Sequence, residues 1–183
     1  SVAAVCHGPA ALVNVKLADG SYLVANKAVN SFTNEEEQLF GKKWLPKFEF
    51  LLQDKLIERG GIFQASPIML NHVVVDKRLI TGQNPWSVWQ LAEATVRALG
   101  VEPLARLASA EERTMQLLLT HQTRGPAAAK RQIESLLAQG PLQRNLVLMM
   151  ALVRGMAGEW TQSVSLLRLT QQLKTQQRQQ LQQ

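Results

Sequence analysis

The chain has 183 residues, 46% hydrophobic and 19% charged, with a formal net charge of +6 at pH 7. That length suits one globular domain, or one with a small second. No run of 18 apolar residues suggests a membrane span, and no basic n-region with an apolar h-region opens the chain as a secretory signal would. A single cysteine cannot form an internal disulfide, which fits a reducing, cytoplasmic setting.

The charge is uneven. Residues 1–100 carry ten Lys/Arg and nine Asp/Glu, a net +1, whereas residues 101–183 carry ten and five, a net +5. The first part reads as an ordinary soluble domain. The second has a mild basic bias of the kind a solvated helical face carries.

Val2 to Val5 is a short apolar run that reads as a buried parallel strand. Cys6, His7, Gly8 and Pro9 follow at once. Proline is preset for a first helical turn, so the spacing predicts strand, turn, then a helix from Ala10 to about Lys16. This geometry projects a nucleophile from the end of a sheet, as a nucleophile elbow does. It also sets the thiol near a helix N-terminus, where a depressed pKa is expected. A lone cysteine is commonly just a small buried hydrophobe. A titratable neighbour at a Gly-Pro turn is, however, a poor way to build core.

A parallel strand needs neighbours and covering helices. A chain that opens on one is expected to be a fragment, or to receive the other half elsewhere. Val2 to Val5 is then expected to lie at an exposed edge or to pair with another chain.

Asp19-Gly20 marks a turn, and Tyr22 to Ala25 and Ala28 to Phe32 read as two short strands. Thr33-Asn34-Glu35-Glu36-Glu37 is a helix start with acids in its first turn. Glu37, three residues after Asn34, could serve simply as the acid of a capping box, and spacing does not choose among Glu35, Glu36 and Glu37. Phe50 to Arg59 is an amphipathic helix stopped by Gly60-Gly61, and Ile62-Phe63 begins a strand. His72 to Asp76 and Leu79 to Thr81 form a hairpin turned at Asp76-Lys77-Arg78. After the loop Gly82-Gln83-Asn84-Pro85, a helix runs from Trp86 to Leu99, with Gly100 as its stop.

Residues 101–183 read as four helices, about 109–123, 127–139, 143–157 and 161–174, broken at Gly125-Pro126, Gly140-Pro141 and Gly158. Around Gly158-Glu159-Trp160 the last pair resembles one tetratricopeptide-type hairpin, carried by Leu152, Gly155, Gly158, Trp160 and Leu167; Ser163 stands where alanine is usual. A plain helical hairpin is the simpler reading. Such hairpins stack an apolar face and can take a peptide or protein partner. The Gln-rich stretch Gln171 to Gln183 is expected to be a frayed helix or disordered. His72 reads as a strand-edge or packing residue and His121 as a surface one. No Cys/His cluster has metal-ligand spacing, and no Gly-rich phosphate loop occurs, so neither a metal nor a cofactor is expected. Trp86, Val88 and Trp89 read as packing residues, so no nucleic-acid partner is expected, and no membrane.

Four stretches in order carry a family likeness: Ala3 to Leu12, Ser31 to Glu37, Phe50 to Leu56, and Val73 to Pro85. On these residues 1–100 resemble the C-terminal part of the ThiJ/PfpI superfamily, a branch of the class I glutamine amidotransferase-like fold, closest to its glutathione-independent glyoxalase (glyoxalase III) and chaperone-like group. The resemblance implies a partial flavodoxin-like, doubly wound α/β/α sandwich, followed here by the all-α extension. It implies a catalytic Cys6, His7 and Glu37, and a D-lactate dehydratase-type lyase acting on small reactive carbonyls of the 2-oxoaldehyde class. A homo-oligomer is compatible with it, as is a non-catalytic, chaperone-like module. The chain departs from the family pattern in lacking the N-terminal half with its Gly-Gly-His-Gly-type loop. Other departures are Glu49 in place of proline, Lys77 in place of a turn glycine, and the bulky Trp86 and Trp89.

Overall fold

A computed structural model describes residues 1–180. The chain divides into two compact units, Ser1–Ala105 and the part from Arg106 onward.

In the first unit the strands are β1 (Val2–Val5), β2 (Ala28–Val29), β3 (Ile62–Phe63), β4 (Val73–Asp76) and β5 (Leu79–Gly82). The helices are α1 (Asn34–Phe40), α2 (Leu52–Glu58) and α3 (Val88–Ala98). A three-stranded sheet runs in the order β1-β5-β4, and β2 and β3 pair separately in parallel. β1 lies parallel to β5, with Val2 opposite Leu79 and Val5 opposite Gly82; β4 is antiparallel to β5.

The two-residue period of a strand sends alternate side chains to opposite faces. Ala4 and Leu79 face one way, into a core with Leu12, Val13, Val24, Val29, Leu52 and Leu56. Val5 and Gly82 face the other way, where a Cβ on Gly82 would come within 3.1 Å of Leu91 in α3. Helices therefore cover both faces, and the unit is a partial α/β/α sandwich. β1 is the outer strand, and Val2 remains 40% exposed, as expected of a strand with one neighbour.

Several elements differ from their sequence expectations. After Pro9 the chain makes only a 3-10 turn, Gly8–Leu12. Asp19 then draws the backbone into a tight turn by accepting from the Ser21 N–H at 2.9 Å and its hydroxyl at 2.6 Å, and Lys16 bridges to Tyr22. A helix to Lys16 is excluded by that reversal. The strands expected over 22–25 and 28–32 reduce to Ala28–Val29. The first is a turn, with the Ala25 N–H donating to the Tyr22 carbonyl at 3.0 Å, and Asn26 follows it at a φ of 57°. Beyond Val29 the backbone turns to other partners: the Asn30 N–H to Thr81 Oγ1 at 2.9 Å, and the Phe32 N–H to the Cys6 carbonyl at 2.9 Å. The helix expected from Trp86 opens with a 3-10 turn, Pro85–Ser87, capped by Asn84. The β4–β5 hairpin forms as expected, with Lys77 itself adopting a φ of 54°.

The second unit holds α4 (Ala110–Arg124), α5 (Pro126–Gln139), α6 (Arg144–Met156) and α7 (Trp160–Gln180). α4 packs on α5 and α6 on α7. Ser109 and Glu112 close a capping box at the start of α4. Met115, Leu118, Ile133, Leu136, Val147, Met150, Leu166, Leu169 and Leu173 are buried. Among the described residues no strand occurs beyond β5, and no helix is long and apolar enough to cross a membrane.

His121 is buried rather than superficial, 3% exposed, with Nε2 2.8 Å from Ser165 Oγ. The last helix continues through Gln180, past its expected end at about 174 and into the Gln-rich stretch expected to be frayed or disordered. Leu173 is buried there, and Gln177 donates to the Leu142 carbonyl at 2.8 Å. Residues 181–183 of the expected frayed tail lie outside the described residues.

Candidate active site

Cys6 stands at the end of β1 with a φ of 60°, a left-handed conformation that non-glycine residues adopt only when surroundings enforce it. The enforcement is visible on both sides. The Cys6 N–H donates to the Gly82 carbonyl at 2.8 Å, and the Cys6 carbonyl accepts from the Phe32 N–H at 2.9 Å. The thiol is thereby lifted out of the sheet at a sharp elbow, as the sequence predicts.

His7 follows, exposed over half of its side chain, with its ring against Phe32 at a centroid distance of 4.7 Å. Its Nδ1 is 3.3 Å from Cys6 Sγ, and its Nε2 is 2.7 Å from Glu37 Oε2. An ionised carboxylate only accepts. Nε2 therefore carries the proton, and the Nδ1 lone pair is left facing the thiol. Glu37 comes from α1 and is largely buried, 8% exposed.

Of the three acids left open by spacing, Glu37 is the one at the imidazole. Thr33, not Asn34, is the N-cap, which makes Glu36 the capping-box acid. Successive helical residues are rotated by about 100°, so Glu37 points elsewhere, to His7. Glu36 is fully buried. Its Oε2 accepts from the Thr33 N–H at 2.9 Å and hydroxyl at 3.0 Å. Its Oε1 accepts from the Met69 N–H at 2.8 Å, Gln83 Nε2 at 3.1 Å and Asn84 Nδ2 at 2.9 Å. Only the capping half of this arrangement has a local sequence signal.

The expected depression of the Cys6 pKa is not found. Burial pushes the thiol above its ordinary value, and the negative charges of Glu36 and Glu37 raise it further, while the His7 N–H opposes them. The helix that was to supply the positive field is a single 3-10 turn, too short for an aligned dipole. The site therefore sets a thiol of raised pKa beside the imidazole nitrogen that faces it.

His72 is half-buried, and burial lowers its pKa. Its backbone, not its ring, ties β4 to Asn30 and Ser87. Among the described residues no group of three or more His, Cys, Asp or Glu side chains could hold a metal ion. Trp86 and Trp89 stack on each other at 6.4 Å.

No protein-family model matches the chain. Relatives do. A glutathione-independent glyoxalase of Schizosaccharomyces pombe, hsp3102, is 35% identical over 104 residues, covering 54% of this chain and 43% of the relative. Glyoxalase 3 of Candida albicans is 35% identical over 101 residues, covering 53% and 43%. Among solved structures, the Rapid Encystment Protein 24 KDa of Francisella tularensis is 36% identical with a TM-score of 0.50, covering 53% of this chain and 42% of that one. This chain thus spans less than half the length of the curated relatives it matches. Over about half of its own length, the chain is related to the glutathione-independent glyoxalases, proteins of the ThiJ/PfpI type.

Proposed function

We propose that this chain carries the Cys-His-Glu portion of a glutathione-independent glyoxalase that hydrates methylglyoxal-type 2-oxoaldehydes to 2-hydroxy acids in the cytoplasm. The observation that carries the reading is the single imidazole held between thiol and carboxylate, Nδ1 to Cys6 and Nε2 to Glu37. The relatives named glutathione-independent glyoxalase support it.

The chemistry runs as follows. Cys6 Sγ attacks the aldehyde carbon as its proton passes to His7 Nδ1, and His7 hands that proton to the new oxyanion, giving a hemithioacetal and a neutral imidazole. Attack by a neutral thiol with concerted proton removal suits a cysteine whose pKa is raised. His7 then carries the C1 proton to C2 through an enediol, while the C1 hydroxyl proton moves to the C2 oxygen, which leaves a thioester of the 2-hydroxy acid. Water cleaves the thioester, releases the acid and restores the thiol. One substrate and one water give one hydroxy acid, with no external oxidant or reductant. Throughout, Glu37 fixes the imidazole tautomer and supports its cationic form.

The test is lactate formation from methylglyoxal without glutathione. Turnover by the parent and its loss in Cys6→Ser supports the reading. Undiminished turnover in Cys6→Ser overturns the Cys6 mechanism, and a parent that forms no lactate while folded favours a non-catalytic, chaperone-like module.

A further inference from the structure

We infer that Glu36 is a positioning residue of this site: its buried carboxylate locks the first turn of α1 to the chain segment after β5 and fixes the rotation at which Glu37 meets His7. Its catalytic meaning rests on the function proposed above; its structural content does not.

A capping-box acid needs one oxygen for its own helix, and it ordinarily sits at the surface. Glu36 uses Oε2 in that way but is fully buried. Its Oε1 gathers three donors distant in sequence: the Met69 N–H, Gln83 Nε2 and Asn84 Nδ2. Met69 offers its N–H from a φ of 56°, a conformation that costs energy and needs fixed partners. Gln83 and Asn84 are themselves fully buried and pinned, Gln83 to the Ser66 backbone and Asn84 to the Leu70 carbonyl. They directly follow Gly82, whose carbonyl holds the Cys6 N–H. One carboxylate thus connects the helix that carries the acid with the strand end that holds the nucleophile.

All five partners donate, so both oxygens must accept. A glutamine at position 36 would aim its NH₂ at one of those donors and leave it unsatisfied. The expected result is a loosened first turn of α1, with Glu37 no longer held at His7.

The test compares Glu36→Gln with the parent in the full chain, using two readouts that need no turnover. The first is the low-field proton resonance of His7 Nε2–H, which reports the bond to Glu37; it should vanish or broaden. The second is the pH profile of Cys6 alkylation by iodoacetamide. The groups facing Sγ are His7 from its own turn and Glu36 and Glu37 from α1. Losing one carboxylate charge and releasing the other should move the profile to lower pH. Where the parent turns over, kcat should fall by about tenfold or more with little change in KM. A variant merely less stable would keep both signatures while folded. Gln83→Leu, which removes one donor, should shift both readouts less and in the same direction, and it serves if Glu36→Gln does not fold. A folded Glu36→Gln, or Gln83→Leu in its place, with parental resonance and parental alkylation profile overturns the assignment. If the parent makes no lactate while both readouts shift, the positioning role stands and the enzymatic reading fails.

Discussion

Gly41 lies directly beneath the Glu37 carboxylate: a Cβ at position 41 would fall 2.1 Å from Glu37 Oε1 and 2.9 Å from its carbonyl oxygen. The backbone φ at Gly41 is −95°, open to any residue, so glycine is required there for space rather than conformation. Gly41→Ala should displace the carboxylate from His7 and lower lactate formation about tenfold to a hundredfold. Steady-state kinetics on a variant with parental circular dichroism checks this; parental turnover would show that Glu37 has another resting place.

Glu37→Gln keeps an acceptor for His7 Nε2–H but removes the charge that supports the imidazolium. Turnover should drop by about a hundredfold or more. The melting temperature should change little, because the bond it weakens lies at a half-exposed ring. The kinetic and thermal measurements together separate a chemical role from a packing one.

The Cys6 thiol titrates above its ordinary value, chiefly through burial. Alkylation by iodoacetamide should therefore stay slow near neutrality and rise only above about pH 8.5. The stability consequence has a definite sign. The unfolded chain ionises first, so the folded unit loses stability as pH climbs from the unfolded cysteine value to the folded one. Cys6→Ser should flatten that alkaline loss in denaturant titrations; a thiol titrating below about 8.5 would contradict it.

In the second unit burial, with a smaller contribution from Arg154, holds the His121 pKa below its ordinary value. A base with a lowered folded pKa binds fewer protons folded than unfolded, so stability falls as pH drops from about 6.5 toward the folded value. Denaturation midpoints at pH 7.5 and 5.5 should differ in the parent and differ less in His121→Gln, which can still bond Ser165.

The sequence pattern reached far where the controlling forces are local. Valine-rich β4 and its hairpin partner β5, the elbow at Cys6, and the helices bounded by Gly100, Gly125, Gly140 and Gly158 all follow from strand period, turn residues and positive φ. It fell short where a distant partner decides. Asn30 and Phe32 read as strand residues until Thr81 and Cys6 take their amides. His121 reads as a surface residue until α7 folds over it and Ser165 meets its ring. The choice of Glu37 over Glu36 turned on which residue caps α1: Thr33 instead of Asn34 shifts the helix by one position and exchanges the roles of two adjacent glutamates. Nothing local to Glu36 announces Met69, Gln83 and Asn84, which lie 33 to 48 residues away.

One of the two outer strands of the three-stranded sheet, β1, leads directly into the residue that carries the thiol. Any polypeptide that adds itself to the free side of β1 must end its ladder within a residue of Sγ, so edge occupancy and events at Cys6 share one free energy. Linkage makes the effect mutual for a reversible adduct at Sγ: a strand that binds the adduct form more weakly lowers the affinity for the adduct-forming ligand by the same factor.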